Sequence, residues 1–567
     1  MSNPSKRSNC CSTALKKFSK ILICNQSDAY PLTMRHNKTD TKKLHKNIFV
    51  AALCFLTAVC LGWVLLPYAI SSAITAKGVI SPELNAELYS AWIHPPMPVY
   101  MKLYLFNVTN ADEVTLGALP KFEELGPFVF LKNMTKINIT VDEDADTSTY
   151  WVYNSFQYSE SLSVNISLQE KVTLINVPFV SAAIKITYEL TWPLDEISRT
   201  ILLNYKEPPF IKKTIEEALF KGWKVPFLEK IKEEVGFELP LLPNNTFRLM
   251  LDQNDTAKGP FTVSRGIKNK SSFGSIVKFE NKTELAYWPK GSTCNNIVGS
   301  DGTIYPSPIT KMTVLRAFNS DLCRSLSVTY NENVVFDGVN AFKFTTPASL
   351  LRDPRECNET RCYCYDEDVN MCLKGGVSEL GPCKQGAPVA MSYPHFLHGD
   401  PEYIEKSGSI PDSDKHSAFV VIHPRTGIVL QGSMKFQINL MLKPIRSIKS
   451  LSKIPEMVFP LMWAEECASL DANSMQQFRA ALLLIWIVEF TAKWILPGIT
   501  LMALTVFVAR KLGCKRVAPR HEYYLTNNVV PAFTNGKVSH VPESKRSMEL
   551  DENVPLSVYP QFETEPS

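Results

Sequence analysis

The chain has 567 residues, 45% of them hydrophobic and 20% charged, with a formal net charge of +4 at pH 7. The positive excess sits mainly in the two tails, and no basic stripe or recognisable module accompanies it, which excludes a nucleic-acid binder. Two uncharged apolar runs, one near each end, organise everything between them.

Residues 1–47 form a tail that ends in Lys42, Lys43 and Lys46. The run Ile48–Ile74 follows, with no charge between Lys46 and Lys77, and exceeds the ~20 residues that cross a bilayer. It starts too deep in the chain and is too long for the apolar segment of a signal peptide, so it reads as a retained anchor over 48–74. The basic flank on its N-terminal side places the first tail in the cytosol.

Residues 75–484 lie between the anchors and suffice for one large core or two smaller ones. Strand-length apolar and aromatic runs dominate, among them Val99–Phe106, Gly274–Phe279 and Ser417–Ile422, punctuated by Gly, Pro and Asn turns. Residues 193–235 break that pattern. Phe210, Ile211, Thr214, Ile215, Ala218 and Leu219 fall on one helical face, opposite Lys212, Lys213, Glu216 and Glu217. Pro208–Pro209 precede this predicted helix and Gly222 follows it, and a second short helix starts near Pro226. The expectation is an α+β fold: a β-rich body carrying a small helical cluster.

This segment holds Cys294, Cys323, Cys357, Cys362, Cys364, Cys372, Cys383 and Cys467, eight of the chain's 14 cysteines. It also holds nine N-x-[ST] sequons, at Asn107, Asn133, Asn138, Asn165, Asn244, Asn254, Asn269, Asn281 and Asn358. So many glycan acceptors and thiols point to an oxidising, extracytoplasmic compartment. Structural disulfides then outweigh zinc, because Cys362-x-Cys364 lacks the usual ligand spacing. Counting alone leaves the pairing of eight thiols open. Asn25 and Asn37 also match the sequon but belong to the cytosolic tail. No sequon falls within 193–235, so that surface is a candidate binding face.

The second span is read as 485–509. Its uncharged core, Trp494–Ala509, is short, and the full segment includes Glu489 and Lys493 at i,i+4, a spacing that lets them pair. Arg510, Lys511, Lys515 and Arg516 follow and place the tail 510–567 in the cytosol. That tail is polar and reads as disordered. Asp551, Glu552 and Leu556 are similar to an acidic dileucine signal, with Ser557 in place of the second aliphatic residue, and Tyr559 with Phe562 fits a tyrosine endocytic signal. Both imply clathrin adaptors and endosomal cycling. Cys514 is the candidate palmitoylation site.

Several motifs in fixed order carry a resemblance: Leu105–Asn110, Gly126–Pro127–Phe128, Cys294–Asn295 with Gly299–Gly302, Ser320–Ser325, Cys362–Tyr363–Cys364 and Pro394–Leu397. With two terminal spans, they make residues 61–516 resemble the class B scavenger receptors, the group of the fatty-acid translocase and the lysosomal integral membrane protein. The general layout is similar to long-tailed insect members. One departure is Ile410–His416, where relatives carry Asn-Pro-Asn-Glu before the histidine.

The resemblance implies a β-barrel-like ectodomain topped by a helical bundle at 193–235, with an apolar tunnel running toward the membrane. It implies disulfides Cys294–Cys362, Cys323–Cys383 and Cys364–Cys372. Cys357 and Cys467 are left over, either paired together or free. It implies ligand contacts at the apex, where Lys206 is the nearest match to a family lysine and Asn204 replaces its neighbour. Phe210, Ile211, Thr214, Ile215 and Leu219 complete the expected ligand-binding set.

The expected function is a non-enzymatic receptor at the plasma membrane, cycling to endosomes or lysosomes, that takes lipids or lipoproteins without a cofactor or metal. The alternative is a trafficking receptor for protein cargo; a homo-oligomer stays open. An ectonucleotidase needs paired Asp-x-Gly phosphate loops, and Asp301–Gly302 stands alone. No Gly-x-Ser-x-Gly elbow occurs, and His395-x-x-His398 lacks an accompanying general base. A ligand-gated channel fits poorly, because the second span offers Leu501, Met502, Leu504, Val506 and Phe507 rather than small or polar pore-lining residues.

Overall fold

The computed structural model describes residues 38–163, 167–235, 245–250, 254–364, 366 and 368–511. The sequons at Asn165 and Asn244, Cys514, and the sorting residues Asp551, Glu552, Leu556, Tyr559 and Phe562 lie outside them.

The fold is mixed helix and sheet. A 13-stranded sheet curls into a nearly closed barrel. Eleven strands follow one path, in order Leu315–Asn319, Arg324–Phe336, Val339–Thr345, Phe419–Ile422, Val429–Leu442, Met457–Ser469, Val99–Val108, Phe122–Asp142, Thr147–Tyr158, Thr256–Ser264 and Ile276–Phe279, and Val389–Ser392, paired with Val377–Glu379, branches off at Val429–Leu442. Alternation sets the inward face: Met101, Leu103 and Leu105 are buried in Val99–Val108, with Lys102 and Tyr104 between them half-buried. The ends of the path are bridged by Gly299–Ser300. Ile276 N donates to Gly299 O at 2.8 Å, and Ser300 N donates to Arg316 O at 3.0 Å. Gly299 has φ +102°, and a Cβ there would lie 2.3 Å from Arg316 O, so only glycine fits this closure.

The helical cluster differs from its prediction in two places. Phe210–Thr214 is a strand, not a helix, and pairs antiparallel with Lys171–Ile175, placing Ile211 opposite Leu174. The double proline ahead of it sends the chain in extended, and the partner strand outweighs the helical period. Helical backbone resumes only from Ile215 and ends at Gly222, whose φ of +78° and contact with Phe247 O exclude a side chain. In addition, Val177–Tyr188 is a helix that periodicity does not reveal. Nine of its residues are buried, so it has no polar face to create a period. Leu194–Asn204 and Pro226–Val235 are the other two helices.

The disulfides are Cys294–Cys362, Cys323–Cys383 and Cys364–Cys372. Cys357 and Cys467 are free thiols and do not pair together. Beside Cys323, the fully buried Arg324 stacks 3.7 Å from the Tyr363 ring and donates to Ser378 Oγ at 2.7 Å, tying this lobe to the sheet.

Two helices are long and apolar enough to cross a membrane, His45–Lys77 and Ala472–Ala509. The second begins before the predicted 485 because Asp471 caps it, accepting from Asn473 N and Ser474 N. Its first turns pack under the barrel through buried Met475, and Arg479 pairs with Asp337 at 3.0 Å. The spans touch where each contains a π-turn, Leu61–Leu65 and Thr491–Ile495. There the Trp63 indole donates to Lys493 O at 3.2 Å, and its ring meets Trp494 edge-on at 5.1 Å. Glu489 and Lys493 do pair, at 3.1 Å, and Glu489 also holds Arg425 at 2.8 Å.

Candidate ligand-binding site

Two features of the segment between the spans offer surfaces to a ligand: the helical apex and a cavity inside the barrel. At the apex, Lys206 follows the helix Leu194–Asn204 and is exposed, with φ +49°. Phe210, Ile211 and Thr214 are half-buried on their strand. Ile215 and Leu219 lie wholly inside the core and present no surface. Exposed apolar area comes from residues that periodicity does not single out. Trp192 is 81% exposed, and Tyr188, Leu194, Ile197, Leu203 and Tyr205 join it. The absence of a sequon from 193–235 was the available signal. An aromatic next to a proline, Trp192–Pro193, gave no further clue to its exposure.

The cavity has a volume of about 900 Å³, large enough for a lipid-sized ligand. Its wall is mainly apolar, with Trp92, Phe261, Ile276, Phe318, Val420 and Met434 among the lining residues. At one end the lining includes Ile74 and Thr75 from the first spanning helix and Ser474, Gln477 and Phe478 from the second. No residue of 177–235 belongs to this lining. Under the apical helices lies a packed cluster in which Phe179, Phe227 and Ile231 meet Leu105, Phe128 and Phe459.

Three ion pairs lie in or directly behind the cavity wall, while Lys77, Glu87 and Lys270 also belong to the lining. Lys132 meets Glu466 at 2.9 Å, Lys136 meets Asp301 at 3.1 Å, and Lys258 meets Asp321. Lys136 is buried behind the wall, donates to Trp92 O at 2.8 Å and sits over the Trp92 and Tyr150 rings. Burial pushes the Asp301 carboxyl up, but Lys136 and the Thr303 hydroxyl pull it down harder, leaving it below the usual carboxylate range. Burial, then the Asp301 charge, raises Tyr150 well above an ordinary phenol.

The histidines of the Pro394–Leu397 motif and of the altered turn meet in a separate network. His395 Nε2 contacts Glu124 at 2.6 Å and its ring stacks on His416 at 4.4 Å. Trp463 Nε1 donates to the same carboxylate at 2.7 Å. The altered turn is itself well formed. Asp412 caps Ser413–His416, and its backbone N–H donates to His416 Nδ1 at 2.9 Å. His395 thus serves the packing between the motif and the sheet.

A sequence model described as the CD36 family matches residues 49–511. The chain belongs to the CD36 family. It is 30% identical over 440 residues to lysosome membrane protein 2 of Mus musculus, covering 76% of this chain and 89% of the relative. It is 30% identical over 425 residues to scavenger receptor class B member 1 of Rattus norvegicus, covering 75% and 81%. Sensory neuron membrane protein 2 of Manduca sexta is 29% identical over 496 residues, covering 82% and 94%. Two of these relatives are named as membrane proteins and one as a scavenger receptor, which together support a membrane scavenger-receptor role.

Of the accessible sequons, Asn133, Asn138, Asn269, Asn281 and Asn358 are exposed, consistent with a glycoprotein. Asn107 and Asn254 are half-buried, and their side-chain carbonyls accept from Thr173 N and Phe156 N.

Proposed function

We propose that this chain is a scavenger-type receptor for hydrophobic ligands. Its ectodomain faces the extracellular or lumenal space, both tails are cytosolic, and it cycles between the plasma membrane and endosomes. The observation that carries the reading is the apolar cavity of about 900 Å³, lined at one end by residues of both spanning helices. Burying an acyl chain there is worth ~0.8 kcal/mol per methylene, so affinity needs no catalytic step. Ligand docks on the sequon-free apex, where Trp192 and its apolar neighbours offer exposed surface and Lys206 offers a cation. Passage from apex to cavity requires the packed layer around Phe179 and Phe227 to open. A second reading, docking of a protein cargo on the same apex, is favoured by the exposure of Trp192.

Lipid extraction and mass spectrometry of the purified full chain test the reading. Co-purifying lipid in stoichiometric amount supports it, and a lipid-free protein that takes up no added lipid refutes it. Lys206→Ala is expected to weaken binding of carboxylated lipids more than of neutral ones. Equal loss for both, or none, removes Lys206 from the role.

A further inference from the structure

Arg324 is a buried cation that the ligand-binding site does not use. It is 1% exposed, and its guanidinium donates through Nη2 to Ser378 Oγ at 2.7 Å. Nε and Nη1 are buried and have no acceptor in the protein. The Tyr363 ring lies 3.7 Å from Cζ and the Trp288 ring 5.7 Å, and these faces attract the cation without accepting from the two orphan donors. Disulfides hold the arrangement in place: Cys323–Cys383 ties the residue before Arg324, and Cys294–Cys362 with Cys364–Cys372 ties both neighbours of Tyr363. Arg324 lines a second cavity, of about 10 Å³, together with Leu351, Thr360, Tyr363, Leu373 and Val377. That is room for one particle the size of a water or a halide ion. Two other charged residues line it. Arg352 is exposed and adds a second positive charge. Glu379 is half-buried, and burial, opposed by Lys443, pushes its carboxyl above the usual carboxylate range. Among the described residues no carboxylate pairs with Arg324, and burial lowers the guanidinium only to about 10, which leaves it charged at neutral pH. A water satisfies orphan N–H groups but leaves a buried charge without its counterpart, which is costly. A tetrahedral oxyanion exceeds the space. A halide accepts from both donors and carries the opposite charge. We infer that Arg324 is the centre of a buried halide site, taking chloride, that neutralises the interior of the disulfide-bonded lobe.

The site is independent of what the apex or the barrel cavity binds. To test it, the full chain is purified in detergent in gluconate buffer, and its denaturant midpoint is followed as chloride or bromide replaces gluconate at constant ionic strength. An ion that binds only the folded state multiplies the folding equilibrium constant by one plus its concentration over its dissociation constant, so a rise of about tenfold is expected at ten times that constant. Arg324→Met, of similar length and uncharged, is expected to lose the halide response. Glu379→Gln is expected to leave it as it is. Bromide-substituted crystals of the unmutated chain give a second reading that needs no variant to fold: an anomalous peak in contact with Arg324 Nε and Nη1 is expected. Four results overturn the inference: a midpoint that follows ionic strength alone, a full halide response in folded Arg324→Met, a response confined to Glu379→Gln, or no anomalous signal beside Arg324.

Discussion

Acidification is expected to destabilise the barrel above the range where carboxylates titrate, because two buried histidines are held neutral. His416 is pushed down to about 4, first by burial and then by the adjacent His395 ring. His423 is pushed down to about 4 by burial and then by Arg425. Both are at most 7% exposed. In the unfolded chain each takes its proton near pH 6.5, so between about pH 6.5 and 4 the unfolded state binds more protons than the folded one. Stability is therefore complete above about pH 6.5 and falls as pH drops toward 4. Within that window each pH unit costs ~1.4 kcal/mol per histidine once the unfolded chain is protonated, so each costs about 2 kcal/mol by pH 5. Lowered carboxylates such as Glu402, at about 2, lose their contribution only below about pH 4.5 and do not confuse the window. The assay is the denaturant midpoint of the purified full chain between about pH 7.5 and 5, in wild type and in His416→Asn, which retains an acceptor for Asp412 N. About half of the pH-dependent loss should vanish in the variant. A midpoint that does not move over this range, or a slope unchanged by the substitution, refutes the reasoning.

Three further outcomes follow from packing and covalent constraint. A Cβ on Gly62 would lie 2.2 Å from Ala492 O, so Gly62→Leu should force the spans apart, abolishing disulfide cross-linking between cysteines introduced for Trp63 and Trp494 while the ectodomain still folds. Retained cross-linking would show that the helices close elsewhere. Cys323–Cys383 closes a loop with a separation of 60 residues, so replacing both with alanine should cost about 4 kcal/mol by the loop-entropy estimate. Cys357→Ser, at a free half-buried thiol, should shift the denaturant midpoint little, and the reverse ranking would sink the pairing.

The sequence by itself determined the layout: two apolar runs free of acidic and basic side chains, a sequon- and cysteine-rich segment between them, and strand-length apolar and aromatic runs such as Val99–Phe106. These are properties of single segments, set by how each meets lipid, water or one face of a sheet. Motif order and resemblance supplied the three disulfide partners, which no count of thiols could decide. Tertiary structure decided what depends on distant neighbours. Phe210–Thr214 became a strand because Lys171–Ile175 offered hydrogen bonds that its helical period does not register. Val177–Tyr188 became a buried helix without amphipathic signature because the apex surrounds it. The ion pairs at the cavity wall exist only because segments remote in sequence set Lys132 against Glu466, Lys136 against Asp301 and Lys258 against Asp321. Charge matching across a cavity is a relation between side chains in space, and nothing local in the chain encodes it.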